Sequence, residues 1–110
     1  MMKNTTNNDS QYISSHLQRA FKVIDIMVGH EVLGITPGTL AKLANTAPAN
    51  ITRLLDNLAL ANLAERLPNN PTRWRLTAKF AQYSNSISLN LNQAQLQLQQ
   101  DQQNYSLLAV

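Results

Sequence analysis

Three arginines carry the most specific chemistry in this chain. Arg53 lies in ANITRLLDN, and Arg73 and Arg75 flank Trp74 in TRWRL. A guanidinium is planar, always charged and holds its N–H donors in a fixed fork, which matches phosphate oxygens or the O6/N7 edge of a guanine. Asn50, three residues before Arg53, has the amide that pairs in bidentate fashion with an adenine edge. Between Lys42 and Lys79 stand six basic residues against two acids, so this window carries +4 while the rest of the chain carries −1. A basic centre with near-neutral flanks is the footprint of a polyanion-binding surface, although a solvated face gives the same count.

Each of these side chains has a plainer role available. Arg53 has Asp56 and Asp25 within reach as ion-pair partners, and Asn50 fits a solvent-exposed helix position. Trp74 is of a type that stacks on nucleotides, but its phase beside Leu76 favours packing in the core.

Other chemistries find little support. HEVLG at His30 starts like a zinc-protease motif, but Gly34 stands where the second histidine is needed. His16 is remote in sequence, there are no cysteines, and Gly29, Gly34 and Gly38 suit helix ends and turns rather than a phosphate loop. Neither catalysis nor a cofactor is expected. The polar start MMKNTTNNDS has no apolar stretch behind it and no run reaches the length of a membrane span, so a cytoplasmic protein is expected. At 110 residues there is room for one small domain with tails. A core of that size buries only roughly 60–65% of the unfolded surface, so self-association would help it.

The elements that must position the basic residues follow from periodicity. Residues 1–12 read as a flexible N-terminal tail. In LQRAFKVIDIMV, Leu17, Ala20, Phe21, Ile24, Met27 and Val28 form one stripe of a helix that Gly29 and Gly34 terminate. ITPGTLAKLAN predicts a short second helix with Thr36 as cap, Pro37 in the first turn, Leu40, Leu43 and Ala44 inward, and Asn45 as the left-handed stop. Pro48 opens a third helix over about 48–61, capped by Thr46 or Ala47, with Ile51, Leu54, Leu55 and Leu58 buried and Asn62 as its stop. Ala49, Thr52, Arg53, Asp56 and Leu60 then point outward, and Leu60 faces either the hairpin or a partner chain. Strands at about 64–67 and 72–76 joined by PNNP make a hairpin, with Arg73 and Arg75 on the face opposite Thr72, Trp74 and Leu76.

Thr77 is placed to cap a last helix. Ile87, Leu91, Ala94 and Leu98, continued by Tyr105 and Leu108, take alternating steps of four and three if Asp101 fills one slot. Residues 92–104 hold seven glutamines, and Asp101 is the only charge after Lys79, so ion pairs cannot select a partner. The segment reads either as a low-complexity, partly frayed helix or as a dimerisation helix.

From about Ser15 to Phe80 the chain resembles the winged helix-turn-helix domain of IclR-type bacterial transcription regulators. LQRAFKVIDIM corresponds to the first helix, ITPGTLAKLAN to the second, APANITRLLDNLALANL to the recognition helix and RWRLT to the returning wing strand. The pattern of Arg53-Leu54-Leu55 followed by Leu58 is its most specific part. The resemblance implies a mainly α fold with a small β-hairpin, with residues 13–80 as the winged domain, and the periodicity after it makes 81–110 a long Gln-rich C-terminal helix. The resemblance also implies sequence-specific binding of double-stranded DNA as a homodimer. Only a Gln-rich segment stands where family members usually carry an effector-binding domain, so no small-molecule effector is expected.

On that basis the DNA-contact set is Lys42, Ala49, Asn50, Thr52, Arg53, Asn57, Arg73 and Arg75, and the dimerisation set is Ile87, Leu91, Ala94 and Leu98. The recognition helix reads the major groove, while Arg73 and Arg75 project from a wing over about 65–76 to hold phosphates or enter the minor groove. Two alternatives stand beside this: a winged helix used as a protein-interaction module, and a DNA-binding component of mobile-element replication or packaging.

Overall fold

The computed structural model describes residues 12–108, with side chains through Leu107. The expected tail lies outside the described residues apart from Tyr12, as does the side chain of Leu108. The elements are α1 (Ser15–Met27), α2 (Pro37–Ala44), α3 (Pro48–Leu60), β1 (Ala64–Leu67), β2 (Asn70–Leu76) and α4 (Lys79–Leu108). The chain divides into two units, Met1–Leu76 and Thr77–Val110.

The first unit is the winged helix-turn-helix arrangement, three helices followed by an antiparallel hairpin, and its boundaries are set by local chemistry. Ser14 caps α1, its Oγ accepting from the Leu17 amide at 3.2 Å. Thr36 caps α2 in the same way through Thr39, with Pro37 in the first turn. Both α2 and α3 close with an asparagine in the left-handed conformation, Asn45 at φ 51° and Asn62 at φ 62°. In each case two reversed hydrogen bonds finish the helix. Thr46 and Asn45 donate to Ala41 and Lys42, and Leu63 and Asn62 donate to Leu58 and Ala59. Ala47 occupies the cap position of α3 without a side-chain bond, because the Thr46 hydroxyl donates to the Ala44 carbonyl instead.

The core is built from Val23 and Met27 of α1, Leu40 of α2, Ile51 and Leu55 of α3, Trp74 and Leu76 of β2, and Ile35 from the loop before α2. Two inward assignments are corrected. Leu17, Phe21 and Val28 of the α1 stripe are exposed, and the buried line runs through Val23 and Met27. Apolar residues cover more than half the circumference of this helix, so periodicity alone leaves open which line meets the core. Leu43 is 55% exposed, and Ala41 is buried in its stead beside Leu40 and Ala44.

The hairpin pairs Ala64 with Leu76, Glu65 with Arg75, Arg66 with Trp74 and Leu67 with Asn70, with an irregularity between Arg66 and Leu67. Its turn is Pro68-Asn69, so the second strand starts at Asn70, earlier than the expected 72, and takes in Pro71. Ile35 and Trp74 exchange backbone hydrogen bonds at 2.9 Å in both directions, which adds a third antiparallel segment at the wing base. Gly34, at φ +71°, makes this approach feasible: a Cβ there would stand 2.7 Å from Leu67 Cδ1 and 2.8 Å from Arg73 Cβ.

In the second unit, α4 is a single helix whose described side chains from Ala81 onward are all exposed, including Ile87, Leu91, Ala94 and Leu98. Amide side chains brace it between residues 97 and 104, Gln97 donating to Asp101 and Gln100 to Asn104. No described helix is long and apolar enough to cross a membrane.

Candidate nucleic-acid interface

The α3 helix presents Ala49, Thr52, Arg53, Asp56, Asn57 and Leu60 to solvent, with Asn50 half-buried at one side. Three of these side chains are held by short local bonds. The Arg53 Nη1 donates to Asn50 Oδ1 at 3.1 Å, Asn57 Nδ2 donates to the Arg53 carbonyl at 2.8 Å, and the Thr52 hydroxyl donates to the Pro48 carbonyl at 3.2 Å. Arg53 makes no ion pair with Asp56 or Asp25 among the described residues. Its charge stands in solvent, with only one N–H used by Asn50. Leu60 is 88% exposed and meets no part of the hairpin that would cover it.

Lys42, exposed on α2, lines a shallow depression of about 480 Å³ at the turn into α3 together with Gly38, Asn45 and Thr46. On the other side of α3 lies a groove of about 380 Å³. His16, Leu17 and Arg19 of α1 form one wall and Asn50, Arg53 and Leu54 of α3 the other. Sequence reading did not bring Arg19 or His16 to this place. Their spacing on α1 gives no hint of it, because α1 reaches the far wall of this groove through its packing against α2 and β2.

The wing arginines differ from expectation. Arg73 and Arg75 do not project into solvent; both side chains turn toward the loop at 31–34. Arg73 Nη1 donates to the carbonyl of Gly34 at 3.2 Å and approaches that of Leu33 at 3.5 Å. Arg75 Nε pairs with Glu65 Oε2 at 2.8 Å, and its Nη1 lies 3.5 Å from the Glu31 carbonyl. The cause is the Ile35–Trp74 pairing, which lays this loop beside the odd-numbered face of β2 and offers carbonyl oxygens to both guanidinium groups.

The exposed cation of the wing is Arg66. Its guanidinium stacks over the Trp74 ring at 4.7 Å from the centroid and donates to the Pro71 carbonyl at 2.8 Å. The cross-strand pair Arg66–Trp74 identifies it once the turn is placed at Pro68-Asn69. Around it the tip is polar, with Asn69, Asn70 and Thr72 exposed.

In the HEVLG segment, Glu31 Oε2 accepts from the Gly29 amide at 2.7 Å, a turn-closing bond. The described residues contain no group of three or more His, Cys, Asp or Glu able to hold a metal ion.

No family model matches the chain, and no curated protein matches it. Among solved structures it is similar to the S. aureus MepR G34K mutant, with a TM-score of 0.50 and 17% identity, over 83% of this chain and 68% of that one. The chain has a winged-helix fold. At this identity the likeness is one of fold, and it does not single out the IclR-type family among winged helices.

Proposed function

We propose that this protein binds double-stranded DNA in a sequence-specific manner, as a small dimeric transcription regulator. The observation that carries the reading is Arg53, unpaired with any carboxylate and held by Asn50 on the solvent face of a helix that follows a helix-turn-helix corner. A helix of this kind fits the major groove, where each base pair presents a distinct set of donors, acceptors and methyl groups. In this reading Arg53 grips a guanine edge or a phosphate. Asn50 and Asn57 offer amides to bases, Ala49 and Thr52 allow close approach and thymine-methyl contact, and Lys42 meets the backbone.

The wing contributes Arg66 at its exposed surface, while Arg73 and Arg75 brace the base of the wing against the loop at 31–34. The seam of Ile87, Leu91, Ala94 and Leu98 on α4 joins two copies, which supports a two-fold-symmetric site. The sequence resemblance to IclR-type regulators favours the same reading, within the bacterial cytoplasm.

A second reading treats the winged helix as a protein-interaction module. It draws on the exposed apolar side of α1, where Leu17, Phe21 and Val28 stand uncovered. Selection from a pool of genomic fragments by the full chain separates the two. Enrichment of one sequence that is lost in Arg53→Ala supports the DNA reading; retention of no fragment removes it.

A further inference from the structure

We propose that the groove between α1 and α3 seats one sugar–phosphate unit of the DNA backbone, with Arg19 as its anion ligand and His16 as a second donor. The proposal rests on the reading of α3 as the DNA-reading helix and extends the contact surface to a helix outside the helix-turn-helix pair.

The geometry points to a backbone unit on three grounds. An α-helix with its side chains is about 10–12 Å across and the major groove is about 12 Å wide, so whatever flanks a helix in that groove meets the backbone. The flank on the α2 side is Lys42, and the flank on the α1 side is this groove. Next, the groove is amphipathic in the sense that a deoxyribose phosphate is. Leu17 and Leu54 offer apolar surface to the sugar carbons, and Arg19, Arg53 and His16 offer donors to the phosphate oxygens. Finally, Arg19 is half-buried in α1 yet makes no hydrogen bond or ion pair among the described residues, and no acidic residue lines the groove. A half-buried guanidinium beside apolar surface, with its donors unspent, is suited to take up an anion.

The test compares the full-length wild type with Arg19→Ala and Arg19→Lys on a selected duplex and on an unrelated duplex of equal length. Arg19→Ala is expected to weaken both by the same factor and to make the salt dependence shallower by about 0.9 per occupied groove, while Arg19→Lys keeps the slope. A neutral methylphosphonate at the backbone position facing the groove in each half-site weakens the wild type by a larger factor than it weakens Arg19→Ala, and equal weakening of the two proteins overturns the proposal. Wild-type binding with no change in affinity or slope for Arg19→Ala overturns this proposal alone, as does a loss confined to the selected sequence. Absence of wild-type binding to either duplex overturns the reading of α3 and this proposal together. Helical circular dichroism of each variant separates a lost contact from a lost fold.

Discussion

Arg53 donates through Nη1 to Oδ1 of Asn50 at 3.1 Å, so the two side chains best suited to reading bases are joined to each other. The bond uses the amide oxygen of Asn50 and one edge of the guanidinium, and it leaves the remaining fork of Arg53 free. Asn50 therefore sets the direction of Arg53, and in the proposed DNA-reading role its effect runs through Arg53. Arg53→Ala is expected to remove about 1–3 kcal/mol of discrimination at one base position. Asn50→Ala is expected to lose less, and most of its effect disappears when Arg53 is already absent. A double-mutant cycle on the selected duplex and its single-base variants measures this coupling, and strict additivity would contradict it.

Trp74 is 5% exposed and carries the Arg66 guanidinium on its outer face. Trp74→Ala is expected to destabilise the fold by about 3–5 kcal/mol, whereas Arg66→Ala costs only about 0.5–1 kcal/mol. The functional order is the reverse of what stability implies. Arg66→Ala stays folded and loses DNA affinity with a shallower salt dependence. Urea unfolding beside DNA titration checks the contrast, and an Arg66→Ala protein with wild-type affinity would remove Arg66 from the interface.

Glu65 holds Arg75 in a half-exposed ion pair. Such a pair contributes little to stability, so Glu65→Gln is expected to cost less than about 1 kcal/mol. The same change removes an acid from the wing and releases Arg75, which leads to tighter DNA binding and a steeper salt dependence. A fluorescence-anisotropy titration across salt concentrations reads both, and weaker binding would show that the ion pair orients the wing for contact.

Local chemistry made much of the fold legible. Thr36, Asn45 and Asn62 each act within a few residues of themselves, and the helix ends they mark are the ends observed. The inward faces were less legible. In FKVIDIMV nearly every line around the helix has an apolar residue, so the exposure of Leu17 and Phe21 depends on which side packs against α2 and β2. The direction of Arg73 and Arg75 was not legible at all. Alternation placed them correctly on the face opposite Trp74, but the occupant of that face is decided by the pairing of Trp74 with Ile35, a contact between segments far apart in the chain. Arg66 belongs to the basic window between Lys42 and Lys79, but its place on the wing, like that of Arg19 in the groove, depends on a cross-strand or inter-helix neighbour that periodicity does not supply.

The exposed apolar positions of α4 make a clear demand. A long helix carrying Ile87, Leu91 and Leu98 in water gains by covering them, and a neutral amide-rich surface gives a charged partner nothing to select. Truncation after residue 86 is expected to lower the oligomeric order and the DNA affinity together, because two linked half-site contacts gain from effective concentration. Sedimentation equilibrium of the full chain and the truncated chain checks this, and an unchanged mass would contradict it.

The most direct measurement is the affinity of the full chain for a selected duplex between 50 and 200 mM salt, repeated with Arg53→Ala. If a dimer neutralises about six to eight phosphates, the logarithmic slope is roughly −5 to −7, and Arg53→Ala narrows the preference for the selected duplex over an unrelated one by about 1–3 kcal/mol per half-site. A flat salt response, or an Arg53→Ala protein that still prefers the selected sequence by the wild-type factor, would contradict the assignment of α3 as the helix that reads DNA.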